Sequence, residues 1–315
     1  MADFPIQDHP TWKFQDSTKL ETLMDCARKH FFRYELGWEV DKPNIHLVFG
    51  IAWHEAMRHM LLTHNKDVQG ALSEFMKVYR KEFLPETDIE CAPKNPIWAA
   101  LGLVEYAKHY SGEEFEVIEL EVAGTVPISE VDALHFKLDS VVKTEKGIKS
   151  REHKTSGRHE NNWREKWNLK TQIGTYLHAL NCLYDIAEVE GVEVNGAFFL
   201  KTKGKEVSFE QVLITKNHNM MNDWLYTVTF WVEYLKTCFE DLKECLITDN
   251  IMECFPKNLG SCDKYGGCPY MPFCGSWANP LQKAGPPPAG FKLSWWDPRE
   301  REAKIQKVVN IGRTS

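Results

Sequence analysis

With 315 residues, 43% of them apolar, and eleven tryptophans, the chain can bury a sizeable core, which excludes a disordered or low-complexity polypeptide. A formal net charge of −7 excludes a polycation, so any nucleic-acid partner must be held by a local patch rather than by the field of the whole molecule. Nine cysteines behind an N-terminus, MADFPIQDHP, with neither a basic region nor an apolar stretch predict a cytoplasmic, intracellular protein with free or metal-bound thiols; no apolar run is long enough for a membrane.

Residues 17–36 read as one helix, with Leu20, Leu23, Ala27, Phe31 and Tyr34 on one side, Ser17 or Thr18 as N-cap and Cys26 in the middle. A lone cysteine there is ordinarily a small buried hydrophobe. A second helix runs through Phe49–Arg58 and carries His54, with His59 just beyond it. Residues 66–110 are helix-like around a loop at 85–96, a helical insertion beside whatever sheet follows. Residues 115–122 form an expected strand whose Glu119 and Glu121 fit an exposed charged face.

From Val131 to Tyr176 the chain reads as strand, turn, strand, helix. Leu134, Phe136 and Leu138 alternate with His135, Lys137 and Asp139, the period of a half-buried strand. In the next strand Ile148, Ser150, Glu152 and Lys154 share a face. A hairpin brings Asp139 beside Glu152. Two carboxylates at one strand edge are costly unless a cation lies between them, and Mg²⁺ takes one or two carboxylates together with phosphate oxygens. Lys154 is then placed to orient an attacking water or offset phosphoryl charge. Residues 143–170 hold nine Lys/Arg against four Asp/Glu, with Trp163 and Trp167 interleaved, a composition suited to phosphates and unpaired bases or to a solvated loop over two half-buried indoles. A strand at 192–201 and a helix at 217–246 close this region.

The end of the chain is rich in cysteine. Cys254-x7-Cys262-x5-Cys268-x5-Cys274 lies in a Gly- and Pro-rich stretch that cannot build a core from its own side chains, so thiolates around a metal are the expected staple. The spacing lacks the paired C-x2-C of a zinc ribbon, and Cys268-Pro269 has the form found beside iron–sulfur ligands. After Trp277, the GPPPAG linker leads to Trp295-Trp296, a pair that either docks on the body or marks a partner site.

Asp139, the Glu152-His153-Lys154 triplet and Gln172-x-x-x-Tyr176, in this order, resemble the PD-(D/E)XK nuclease superfamily, with the RecB-like exonucleases of phage and CRISPR systems as the nearest branch. Leu138 stands where the superfamily name has Pro. The resemblance implies a restriction-endonuclease-like α/β core, a central mixed sheet flanked by helices, with a C-terminal iron–sulfur appendage. It divides the chain into an N-terminal helical region (1–110), the nuclease core (111–246), a cluster-binding segment (247–277) and a tail (278–315). It also implies a metal-dependent deoxyribonuclease, an exonuclease acting on single-stranded or frayed DNA ends; the alternative is a non-catalytic DNA-binding or assembly protein, a partner in CRISPR adaptation or recombination. Asp139, Glu152, His54 and the backbone carbonyl of His153 would hold Mg²⁺ or Mn²⁺, Lys154 would position water, and Gln172 and Tyr176 would touch the DNA or brace Lys154. Cys26, Cys262, Cys268 and Cys274 would hold a 4Fe–4S cluster, with Cys254 in place of Cys26, or zinc in place of the cluster, as alternatives. Oligomeric state, including a homo-oligomer, stays open.

Overall fold

The polar strands around Asp139 and Glu152 lie in the middle of a seven-stranded mixed sheet. The structure is a computed structural model and describes residues 6, 8–201, 204, 206–302 and 307–310. In chain order the elements are β1 (Gln15–Asp16), α1 (Ser17–Asp25), α2 (Ala27–His30), β2 (Trp38–Val40), α3 (Ile45–Leu62), α4 (Val68–Tyr79), α5 (Asp88–Cys91) and α6 (Pro96–His109). β3 (Glu116–Pro127), β4 (Ala133–Thr144), β5 (Gly147–Ser156), α7 (Thr171–Leu183), β6 (Val189–Phe199), β7 (Val207–Ile214) and α8 (His218–Glu244) follow. The chain ends with α9 (Met271–Ser276), β8 (Phe291–Leu293), α10 (Arg299–Glu302) and β9 (Lys307–Asn310).

The sheet order is β7-β6-β5-β4-β3-β9, with β1 also on β4. β3, β4 and β5 form an antiparallel meander, whereas β5 and β6 run parallel and are joined through α7, since parallel neighbours need a crossover. β6 is an interior strand, next to the edge strand β7, and is buried on both faces. Its Val192, Val194 and Phe198 join the core under α1, α7 and α8, while Ala197 and Phe199 join that under α3, α4 and α6. This is the expected mixed α/β architecture with helices on both sides of the sheet.

Several local expectations change. The helix foreseen over 17–36 breaks at Cys26, whose backbone is extended (φ −165°, ψ 114°). The cysteine-rich segment supplies the lost partners. Asn258 Nδ2 and Ser261 Oγ donate to Asp25 O (2.8 and 2.9 Å), Arg28 N donates to Pro256 O (3.1 Å), and Asn258 N donates to Cys26 Sγ (3.3 Å). A broken helix leaves backbone groups that must find such partners when buried. Trp163 and Trp167 are not base-stacking surfaces: they are 3% and 8% exposed and sit edge-to-face in the core. Trp163 occupies the space opened by Gly196, where a Cβ would fall 2.4 Å from the ring.

The Trp295-Trp296 pair docks on the body. Trp295 stacks on His9 at 3.9 Å, and Trp296 Nε1 donates to Asp16 Oδ2 at 2.9 Å. β8 pairs with β2 and β9 with β3, so the tail contributes strands to both sheets.

α8 crosses α7 at Gly174, where a Cβ would lie 2.1 Å from the Trp224 indole. Gly174→Val therefore forces the two helices apart. We expect a loss of about 2 kcal/mol or more in urea unfolding, the scale of overpacking a dense core; an unchanged midpoint would show that the helices reseat freely.

Candidate active site

β4 has two edges. One is paired with β3 from Ala133 to Lys143. The other is shared: β1 pairs with Leu134 and His135, and β5 pairs with Val141 to Thr144. Between these, β4 and β5 part. Continued past Val141↔Ser150, the register would set Asp139 opposite Glu152. Instead of backbone pairs, the fork holds their carboxylates. Asp139 N donates to Glu152 Oε1 (3.2 Å), His153 N donates to Asp139 Oδ2 (3.3 Å), and Ser140 Oγ donates to Arg151 O (3.1 Å). Each carboxylate thus takes over a backbone donor that the diverging strands would otherwise strand in the interior.

The apolar rhythm of β4 slips at the same place. Leu134, Phe136 and Leu138 share a core with Val141, three residues on instead of two. On β3, the register neighbours Leu120↔Ser140 and Val122↔Leu138 set Glu121 across from Asp139. Glu121 has φ +52°, a left-handed backbone that costs a non-glycine residue about 1–3 kcal/mol. Its carboxylate accepts from Lys137 Nζ at 2.7 Å.

The other candidates gather around this fork. His54 on α3 reaches Asp139 Oδ2 with Nδ1 at 2.9 Å. His59 bonds Asp67 instead, at 2.8 Å. Lys154 Nζ is 3.4 Å from Glu152 Oε2. Gln172 and Tyr176, one turn apart on α7, bond each other, Nε2 donating to Oη at 2.7 Å. The His153 side chain alternates to the opposite face of β5, where it is 2% exposed, its ring edge-on to Tyr106. Among the described residues its Nε2 has no hydrogen-bond partner.

The charges are unequal. Burial, with Asp139 beside it, pushes the Glu152 carboxyl up to about 7. Burial acts on Asp139 in the same direction, but His54 and then Lys154 outweigh it and hold that carboxyl well below the usual range. His54 is raised: burial opposes its charge, and Asp139 prevails. Burial drives His153 down to about 3, so its ring is neutral. A carboxyl pushed up by burial and by a like neighbour marks a place where positive charge is in deficit, and the donor set of two carboxylates and an imidazole suits a hard divalent cation. Among the described residues, no three His, Cys, Asp or Glu side chains form a preformed metal cage.

Behind the fork, sequence reading missed a buried ionic network. Arg151 is 0% exposed; its Nε donates to Glu193 at 2.6 Å and its Nη1 to Glu113 at 2.9 Å, while Lys149 also pairs with Glu193. The signal available was Glu193 within the apolar strand VEGVEVNGAFF, a strand that pairs with the Lys149/Arg151 alternation so that Glu193 falls beside Arg151. The basic stretch 143–170 is correspondingly depleted: Arg164 pairs with Glu210, Lys166 with Glu160 (2.7 Å) and Lys170 with Glu21 (3.0 Å).

At the far end of α1, Cys26, Cys262, Cys268 and Cys274 border one cavity, together with Lys29, Lys257 and Tyr270. Cys254 is elsewhere, its Sγ 3.7 Å from that of Cys245 in the adjoining core. All nine cysteines are free. Burial raises Cys268, and it lifts Cys274 to about 11.

A family model described as the PD-(D/E)XK nuclease superfamily matches residues 17–275. No curated protein matches. Among solved structures, a candidate exonuclease from Eubacterium rectale superposes with a TM-score of 0.43 at 13% identity, over 80% of this chain and 87% of that one. The crystal structure of SSO0001 gives a TM-score of 0.23 at 10% identity, over 69% and 84%. Among the described residues, no helix is long and apolar enough to cross a membrane.

The raised Glu152 carboxyl makes a signed prediction. Its contribution to stability is fully present below its unfolded value of 4.5 and is lost as pH rises through about 7. Asp139, held low, contributes above its unfolded 3.8 and loses that contribution only as pH falls. Metal-free protein should therefore weaken between pH 5 and 8, and Glu152→Gln should be about 2–3 kcal/mol more stable than wild type at pH 8 and close to it at pH 5. Chemical denaturation in chelator at the two pH values measures this; equal differences at both would refute the charge account.

Proposed function

Because the chain belongs to the PD-(D/E)XK nuclease superfamily, whose substrate is nucleic acid, we propose that the strand fork hydrolyses phosphodiester bonds at single-stranded or frayed ends of DNA, as a metal-dependent exonuclease. One observation carries this reading: two carboxylates replace the ladder between β4 and β5, and Lys154 stands 3.4 Å from one of them. Asn and Gln would accept from the same two backbone donors without the charge, so hydrogen bonding alone does not account for two buried carboxylates.

Asp139, Glu152 and His54, with the carbonyl of His153, would hold Mg²⁺ or Mn²⁺. The cation would supply Lewis-acid stabilisation of charge on the phosphoryl oxygens. Lys154 orients the attacking water for in-line displacement and offsets charge as the leaving oxygen departs. Asp139, kept ionised by His54, fixes the His153 backbone through its N–H and so the path of β5 at the point of attack. Tyr176 is 5% exposed in the core, so it braces Gln172, whose side chain would meet the DNA strand at the start of α7.

The remaining cofactor assignment concerns the thiols. Cys26, Cys262, Cys268 and Cys274 would hold a 4Fe–4S cluster as a structural staple, and their shared cavity supports this set over one containing Cys254. Zinc would serve the same mechanical end. A cytoplasmic setting goes with nine free thiols.

Anaerobically purified protein should degrade end-labelled linear single strands with Mn²⁺ and spare circles, and Glu152→Ala should reduce the rate at least a hundredfold. Cutting of circles would keep the nuclease and remove the exonuclease label. DNA binding without hydrolysis in wild type would replace catalysis by the binding-protein alternative. Colour and metal content decide the staple: brown protein with iron and sulfide, lost in Cys262→Ser, against colourless protein with zinc.

A further inference from the structure

α3 turns one stripe toward the opening of the fork. Positions spaced by three, four and seven share a helix face, which aligns Leu47, Gly50, Ile51 and His54. Two of these are located by their neighbours. His54 lies 2.9 Å from Asp139, and a Cβ on Gly50 would find Thr155 Oγ1, at the end of β5, 3.9 Å away. The other two are large, apolar and out in solvent: Leu47 is 60% exposed and Ile51 49%. They do not belong to the helix's core face, since Phe49, Ala52, Trp53, Ala56 and Met57 bury that side completely.

A rim shaped for phosphates alone would carry Lys or Arg. Here the stripe carries one cation, Arg58, one turn beyond His54 and bonded to Glu55 at 3.2 Å; the turns before His54 carry none. The remaining cations come from the strand side: Lys154 on β5 and, just past its end, Arg158, whose side chain is 72% exposed and 3.7 Å from Glu160. The opening therefore has a cationic wall and an apolar one. An unpaired nucleotide offers both complements, its phosphate to the first and a base face to the second. In a duplex those base faces are already stacked on their neighbours.

We propose that Leu47 and Ile51 form an apolar ledge that packs against an unpaired base next to the scissile phosphate and so sets the preference for single-stranded or frayed ends. The ledge rests on the nuclease reading for the position of that phosphate. It adds base-face contact, without regard to base identity, as the determinant of strandedness.

The test reads binding rather than turnover, on the full chain, with Ca²⁺ in place of Mg²⁺ or Mn²⁺. Fluorescence anisotropy compares a short single strand with the same strand carrying abasic residues at its ends. Wild type should bind the base-bearing strand about tenfold more tightly, the scale of one modest apolar contact. Leu47→Gln/Ile51→Gln, with an unchanged melting temperature, should bind both strands at the abasic strength, and Leu47→Met/Ile51→Met should restore the difference. A Gln variant that still discriminates, or a wild type that never does, overturns the ledge. Protein that discriminates but is inert with Mn²⁺ keeps the ledge and loses the catalytic reading; turnover without discrimination does the reverse.

Discussion

The organising constraint is the parting of β4 from β5. A sheet interior does not tolerate unpaired backbone donors, so the two strands can separate only where side chains take over the ladder. Asp139 and Glu152 do this reciprocally, each accepting from the other strand's backbone. The same atoms are thereby held close together, two like charges at one edge. Geometry that solves a hydrogen-bonding problem creates an electrostatic one, and His54, Lys154 and a cation are its natural resolution. The phase slip of β4 and the left-handed Glu121 opposite it are the local distortions such a break entails, as irregular strands often are beside functional sites.

What keeps the fork from spreading is behind it. Arg151 directly precedes Glu152 on β5 and points to the opposite face, and it ties β5 to β6 through Glu193 and to the approach of β3 through Glu113. Buried ion pairs contribute little net stability against apolar packing, but breaking one by removing a partner costs about 3–5 kcal/mol. Such a network specifies position. It anchors the backbone of the residue that flanks Glu152, and so holds that buried carboxylate on the Asp139 side of β5.

Much of the site was legible because it rests on short-range rules. Period-two alternation aligns Glu152 with Lys154, one helical turn aligns Gln172 with Tyr176, and the turn at 145–146 fixes the register that brings Asp139 toward Glu152. The mixed α/β class followed from the same patterns. The break at Cys26 was not legible, because residues 17–36 are a good helix until Asn258 and Ser261, more than two hundred positions away, offer better partners. Trp163 and Trp167, among nine cations, read either as base-stacking or as half-buried indoles, yet both are in the core and the glycine that makes room for Trp163 is at position 196. Glu193 hid in an apolar strand since its countercharges are on neighbouring strands and loops. In each case the deciding contact is non-local, and composition near the residue points the other way.

The distribution of closing contacts has a consequence for how this protein is made. β1 caps the open edge of β4 and α1 follows it directly, but Asp16 is bonded by Trp296 and the Cys26 break is satisfied by residues 256–261. During synthesis the strands of the fork leave the ribosome well before those partners do. A nascent chain from which Asp139, Glu152 and Lys154 have already emerged still lacks the contacts that seat α1, so α1 and residues 256–296 are secured last and together. The sheet around the fork is in this sense a precursor until residues 256–296 arrive, and their emergence, rather than that of β4 and β5, sets the moment at which the fold closes.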